Sequence, residues 1–463
     1  MTDDRIKQTL ASLWVGAGLD TGELDAVQIA GQDPTLPSVF RVGEAAAASV
    51  AAAGAAAAQL WRLRSGDTQG VSVDVRAALA AFRSERYLLI DGESPASPWG
   101  PLSGYYPTGD DRHVQLHANF PHHHQGLIDL LNCGDSKQSV AAALLNWDGE
   151  VFEREASDKG LCAGLLRSRQ EWEAHGQGKA VAGLPLIEIE RIGDSAPESL
   201  PGEHRPLTGI RALDLSRILA GPVCGRTLAS HGAQVLRIGS AHLPLIPHIW
   251  LDLARGKRSA HLDLRQDGER QKLLSLSREC DVFLQAYRPG SLEARGLGPE
   301  DIAAVRPGAI YVTISAYGHE GPWATRRGFD SLVQTVSGIG HAGAVASGVA
   351  GTRPLPCQAL DHATGYLAAF GAMVALRRRA EVGGSYHVRV SLAQTGHWLW
   401  NLGQIDGLDH PNTAIEEIAD LLESQETMEG RVTAVRPPEV LEVTPARWER
   451  SPVPLGHDPA CWL

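Results

Sequence analysis

The sequence is short of the signatures that announce a chemistry. No GxSxG elbow, Walker loop or HExxH pair occurs in its 463 residues, so acyl-serine hydrolysis, P-loop phosphoryl transfer and zinc-helix catalysis have no foothold. The six cysteines, Cys133, Cys162, Cys224, Cys280, Cys357 and Cys461, are widely spaced and form no CxxC pair. That excludes a dense disulfide framework and points to reduced thiols in a cytosolic protein. An excess of positive charge is also missing: the formal net charge is -12 and the sequence pI about 5.8. No long-range field therefore draws nucleic acid or an anionic membrane surface, and an anionic ligand needs local arginines. The apolar run Ala45 to Ala58 is mostly alanine and falls short of the roughly 20 residues of a membrane span, so it reads as a packed helix. The opening MTDDRIKQTLASLW lacks the basic start and apolar core of an export signal. FPHHHQ, with His122 to His124, offers three consecutive imidazoles that cannot all face one ion and have no Cys or acid at ligand spacing. It is expected to be a polar loop or helix start, and no metal is expected.

What is present is an ordinary globular composition, 43% hydrophobic and 21% charged, in a chain long enough for at least two domains. A repeat stands out. EAAAASVAAAGAAAAQLWRLRSGDTQGVSVDVRAAL, from Glu44, shares its layout with ALDHATGYLAAFGAMVALRRRAEVGGSYHVRVSLAQ, from Ala359: a small-residue helix, a basic end, a glycine turn and an alternating strand. Ungapped, Arg64 falls on Arg379, Val73 on Val388 and Val75 on Val390, which sets Ala46 opposite Asp361. Residues 98–191 read as a small α+β domain, with a strand in HVQLHANF and helices near Gln125 to Leu131 and Lys137 to Leu145. Residues 192–209, rich in Pro, Gly, Ser and acids, read as a linker. Beyond it strands (IRALDLS, QVLRIG, CDVFLQAY, AIYVTISAYG) alternate with helices. This pattern predicts a parallel sheet with ligands at the carboxyl ends of its strands. The strand-turn-helix from Pro206 lacks the GxGxxG fingerprint, which weighs against a nicotinamide oxidoreductase.

Four blocks then follow in order: ARGKRSAHLDLRQDGER from Ala254, CDVFLQAYRPGSLEARGLGPEDI from Cys280, AIYVTISAYGHEGPWATRRGFDSLVQTVSG from Ala309 and RPLPCQALDHATGYLAAFGAMVALRRR from Arg353. With PLTGIRALDLSRILAGPVCGRTLASHG before them, they resemble the family III CoA-transferases, the CaiB/BaiF and formyl-CoA transferase-like group, over about Pro206 to Leu399. The resemblance implies an α/β fold, a Rossmann-like parallel-sheet large domain with a small α+β domain, its pieces rearranged in chain order. Residues 1–97 supply a partial large-domain repeat, 98–191 the small domain, 210–400 the catalytic domain and 401–463 a closing segment. It implies that CoA moves from an acyl-CoA donor to a carboxylic acid acceptor, with coenzyme A as substrate and no separate cofactor, in an interlocked homodimer. Asp361, just ahead of its helix, becomes the nucleophile; an aspartate there otherwise serves as an N-cap worth about 1 kcal/mol. Arg217, Leu219, Ala220, Arg258, Arg288, Arg295 and Tyr317 become the CoA-binding set, guanidinium groups suiting its phosphates.

Departures from the family pattern temper this. LEARGLG displaces Arg295 by one place, and Ser240 stands where some members have an arginine, so a non-catalytic CoA-binding subunit is the alternative reading. The racemase branch, a further alternative, needs a histidine where this chain has Phe329 in GFD, and phenylalanine moves no proton; His362 could substitute for it, but a helix-start histidine is more often merely solvated. The glycine-bearing stretch Gly338 to Gly351 is a candidate source of oxyanion donors.

Overall fold

The alternating segments after Pro206 do build one sheet. The computed structural model describes residues 4–202 and 204–463, so the part of the export-signal reading that rests on residues 1–3 lies outside the described residues. Before the linker come α1 (Asp4–Gly16), β1 (Val27–Ala30), α2 (Val42–Ser65), β2 (Val71–Asp74), β3 (Leu89–Ile90), β4 (Gly104–Pro107), β5 (His113–Leu116), α3 (Pro121–Leu131), β6 (Ala163–Leu165) and β7 (Glu188–Gly193). After it come β8 (Arg211–Leu215), α4 (Ala220–Ser230), β9 (Gln234–Gly239), β10 (Lys257–His261), β11 (Val282–Gln285), β12 (Ile310–Ser315), α5 (Asp330–Val336), α6 (Ala359–Val382) and β13 (Ser385–Ser391). Next to the carboxyl end lie β14 (Leu422–Thr427), β15 (Gly430–Val435) and β16 (Glu439–Leu441).

The large sheet runs β10-β9-β8-β11-β12-β13-β7, parallel except for β7. Strand order reverses direction between β8 and β11, which opens a crevice at their carboxyl ends. β7 corrects the small-domain boundary at residue 191. It lies antiparallel on β13, tied by Arg389, whose Nε and Nη2 donate to Glu188 at 3.0 and 2.9 Å. The small domain itself is the antiparallel sheet β4-β5-β6 with α3 and neighbouring helices over a core of Leu102, Tyr106, Val114, Leu127 and Phe152. The HHH cluster opens α3, as expected of a helix start.

The two chain ends, separate in sequence, fold together: β16 completes the sheet β1-β2-β16, and β15 pairs with β3. The linker is stapled to the basic end of α2, where Arg64 donates to the Pro206 and Thr208 carbonyls at 2.8 and 2.9 Å. α6 is long and apolar enough to cross a membrane by length and composition, yet all of its apolar window is buried inside the protein.

The repeat is real, but its register lies two positions from the ungapped reading. α2 and α6 both have 24 residues and start from N-caps of one unusual shape, Arg41 (φ −78°, ψ 62°) and Gln358 (φ −80°, ψ 61°). Both end on a glycine of positive φ, Gly66 and Gly383, whose N–H donates to the carbonyls of Arg62 and Arg379. A Cβ on Gly54 of α2 would meet Val71 Cγ1 at 3.1 Å, and one on Gly371 of α6 would meet Val388 Cγ1 at 2.7 Å. Asp74 and Ser391 each end the strand and cap the next helix. In this register Glu44, not Ala46, is the counterpart of Asp361. Alanine-rich helices slide in a sequence comparison because many registers match equally well; caps and the close glycine contacts select one.

Candidate active site

Asp361 lies in the first turn of α6, not ahead of it; Gln358 is the N-cap. Its backbone N–H donates to Asp330 Oδ2 at 2.9 Å, so a buried carboxylate caps the helix that carries it. Gln334 holds the other Asp330 oxygen. α6 comes close to the start of α4 because residue 365 is glycine: a Cβ there would sit 2.6 Å from the Ala220 carbonyl and from Val223. The Ala220 N–H thereby reaches the Asp361 carboxyl and favours its ionised form. The turn leading into α4 is strained at Ile218, a β-branched residue at φ 73°, which costs on the order of 1–3 kcal/mol. Asp214 holds that turn, accepting from the Ser216 N–H at 3.0 Å and from its hydroxyl, and it is in turn held by the fully buried Lys257 at 2.8 Å. Lys257 also donates to the Pro222 carbonyl at 2.8 Å.

The charge state of Asp361 follows from its neighbours. Burial pushes its carboxyl well above the ordinary range, and the Asp330 and Glu85 charges push the same way. Asp330 is itself raised to about 6, chiefly by burial. Glu85, carried by the short segment after α2 and β2, is buried but held below its usual value by hydrogen bonding to His362, with Nε2 3.1 Å from Oε2. His362 is therefore no solvated helix-start residue: it is fully buried, paired with Glu85 and stacked on Phe82 at 5.5 Å.

Asp361 opens on two cavities at once. A cleft of about 510 Å³ runs along the carboxyl ends of β8, β11 and β12 and is lined by Arg217, Arg288, Arg326 and Arg327. It continues into an arm of about 320 Å³ that adds Arg265 and Arg295. On the other side a chamber of about 300 Å³ is walled by Trp99, His117, Phe120, Ile246, Ile249 and Phe329. Phe120, Ile218, Leu219, Phe329 and Asp361 belong to both sides and form the waist between them. A carboxyl at the meeting point of a cationic channel and an apolar chamber can be reached by a reacting carbonyl whose two ends lie on either side.

Residues 207–413 match the family model for CoA-transferase family III. Over these residues the chain is similar to that family. An acyl-CoA transferase of Gibberella moniliformis is 29% identical over 84% of this chain and 76% of its own length. Human succinyl-CoA:glutarate CoA-transferase is 34% identical over 39% of this chain and 43% of its own. A crystal structure of a CAIB/BAIF family protein from Brucella suis is 26% identical over 49% of this chain and 65% of that one, with a TM-score of 0.38. The chain thus spans about half, or less, of the length of several curated relatives that it matches.

Within this matched region the anticipated CoA residues separate into two groups. Arg217, Leu219, Ala220 and Arg288 line the cleft, and Arg295 with Arg288 lines its arm. Arg258 lies elsewhere. It is buried, pairs with Asp458 at 3.3 Å and donates to the Cys461 carbonyl at 2.6 Å, fastening the carboxyl-terminal strap to β10. Tyr317 is also outside the cavities; its ring backs Gly328, where a Cβ would come within 2.8 Å of it, and so holds the backbone that leads into Phe329 and Asp330. The Gly338 to Gly351 stretch forms the helix Ile339–Ser347 and lines neither cavity next to Asp361. It does contain a GxGxxG spacing, at Gly338 to Gly343, but this follows a helix and not a strand, so the dinucleotide context is absent. Among the described residues no cluster of His, Cys, Asp or Glu fits a metal ion. The sequence reading missed Asp330, Glu85, Arg326 and Arg327. Asp330 stands in the quoted GFD, whereas Glu85 is brought in from the first repeat by tertiary packing alone.

Proposed function

We propose that the chain is a CoA-transferase that moves CoA from an acyl-CoA to a carboxylic acid, with Asp361 as covalent carrier. The placement of the Asp361 carboxyl at the waist between cationic cleft and apolar chamber carries this reading. With the CoA moiety along the arginine-lined cleft and its arm, the donor thioester carbonyl lies at Asp361. A carboxylate oxygen attacks that carbon, CoA leaves as thiolate, and a mixed anhydride forms. The thiolate then attacks the aspartyl carbonyl, releasing the donor acid and leaving an Asp361–CoA thioester. An acceptor carboxylate attacks this thioester to give a second anhydride, whose acceptor carbonyl is taken by the thiolate; product acyl-CoA departs and the carboxylate is regenerated. The Ala220 N–H at the start of α4 supports negative charge on this carboxyl through each turn of the cycle. Phe329, stacked on His117, leaves the racemase position without a proton-moving group. The same proposal carries a homodimer and a reducing cytosolic setting, in keeping with six free cysteines.

Intact-protein mass after incubation with short acyl-CoAs, followed by hydroxylamine or borohydride trapping, tests it. An adduct on the wild type and none on Asp361→Ala is expected. Absence of any adduct alongside measurable CoA binding would replace it with a non-catalytic CoA-binding role.

A further inference from the structure

Resting on that reading, the chamber beyond Asp361 says what the enzyme transfers CoA to. One wall is flat and aromatic: His117 stacks on Phe329 with ring centroids 3.7 Å apart and planes 5° apart, and Trp99 meets His117 edge-on at 6.0 Å. Burial keeps His117 neutral, its value lowered to about 4. The charged groups at the chamber's edge are already engaged. Glu85 takes His362 at 3.1 Å, Arg86 lies 3.5 Å from Glu85 and donates to the Pro356 carbonyl at 2.8 Å, and Asp330 caps α6. His248 is pushed toward its neutral form by burial. Among the described residues a second carboxylate on the substrate would meet no free cation here, only neutral donors such as the unpaired Ser331 hydroxyl, which do not offset the desolvation of a charge.

Trp99 is held over the opening by construction. Asn119 Oδ1 accepts from the Gly100 N–H at 2.9 Å and from the Ser103 hydroxyl at 2.6 Å. Residue 100 must be glycine because a Cβ would lie 2.6 Å from the Ala118 carbonyl. We propose that this chamber of about 300 Å³ is the acyl and acceptor subsite and that it selects ring-bearing monocarboxylic acids, the ring lying against the His117–Phe329 stack under Trp99. Offset aromatic packing of this kind adds to simple burial.

Acceptor kcat/KM measured with phenylacetate, hexanoate and succinate against one common acyl-CoA donor tests the assignment. Phenylacetate is expected to exceed succinate at least tenfold and hexanoate severalfold, and Trp99→Ala and Asn119→Ala to erase most of the margin over hexanoate. Succinate used as well as phenylacetate, or a Trp99→Ala loss equal for all three acids, overturns it. Calorimetric binding of phenylacetate to the full chain reads the chamber separately from catalysis. Binding that Trp99→Ala weakens supports the subsite even if Asp361 forms no adduct, whereas no binding refutes the subsite even if transfer occurs.

Discussion

Glu44 and Asp361 occupy the same place in two copies of one unit. Each is the third residue of a 24-residue helix, and each has its N–H taken by an aspartate, the half-buried Asp33 Oδ2 at 2.6 Å in one and the buried Asp330 Oδ2 at 2.9 Å in the other. What surrounds the two side chains differs. Glu44 is 1% exposed and sealed by α1, with Thr9 Oγ1 at 2.6 Å and Arg5 Nε at 2.8 Å on its oxygens. Among the described residues Asp361 has no basic partner, and it opens on two cavities, with the start of α4 beside it. The first copy has only the parallel pair β1-β2 where the second has six parallel strands, so it lacks the strand ends that build a cleft. A carboxylate at a helix start is thus a feature common to both copies; chemistry comes from what is docked against it. Position 48 shows the same logic. The counterpart of Gly365 is Ala48, which carries the Cβ that the approach of α4 excludes at position 365.

The largest effect should separate the two carboxylates. Asp361→Asn is expected to cut single-turnover consumption of acyl-CoA by roughly a thousandfold or more, because the nucleophile is gone. Glu44→Gln should leave turnover within about twofold while costing on the order of 1–3 kcal/mol of stability from unsatisfied buried partners. A comparable loss of turnover in both variants would break the contrast.

Next comes the Lys257–Asp214 buttress under the turn beside Asp361. Lys257→Met leaves Asp214 buried and unpaired and should destabilise the protein by about 3–5 kcal/mol, read by chemical denaturation. An unchanged unfolding midpoint would show that the turn before α4 is held in some other way.

The pH dependence sharpens the comparison further. Asp361 must be ionised to attack, and its raised value means that transfer falls on acidification at a pH well above that of an ordinary carboxylate. Asp330→Asn removes the neighbouring charge and should slide that acid limb to lower pH, while Asp33→Asn should leave it in place; kcat/KM against pH decides. The stability sign is the opposite. Asp330, raised from 3.8 to about 6, contributes most to stability below pH 3.8 and loses that contribution as pH rises through 6, so Asp330→Asn should flatten the fall in stability across this window.

The smallest effect tests the shared packing. Gly54→Ala and Gly371→Ala should both destabilise, by roughly 1–3 kcal/mol, with Gly371 the worse because its new methyl would sit closer to the valine on the paired strand. The reverse order would argue that the two helix-strand contacts are not equivalent.

Much of the large domain was legible before any coordinates, because its signals are local. Period-two and helical patterns placed β8, β9, β11 and β12 and predicted ligands at their carboxyl ends, and the ordered blocks singled out Asp361, Arg217 and Arg288. The sequence by itself also determined that two copies of a helix-strand unit exist. Their register was beyond it, since a run of alanines pairs equally well at several offsets while caps and glycine contacts do not. Tertiary packing alone brings Glu85 and Trp99 from the first part of the chain to the chamber at Asp361, stacks Phe82 on His362, adds β7 to the large sheet and makes the two chain ends share strands. It likewise turned Arg258 and Tyr317 from ligand contacts into supports. A solvated arginine, a buried latch and a phosphate clamp are the same letter in sequence, and what distinguishes them is which carboxylate or carbonyl folding brings within hydrogen-bond reach.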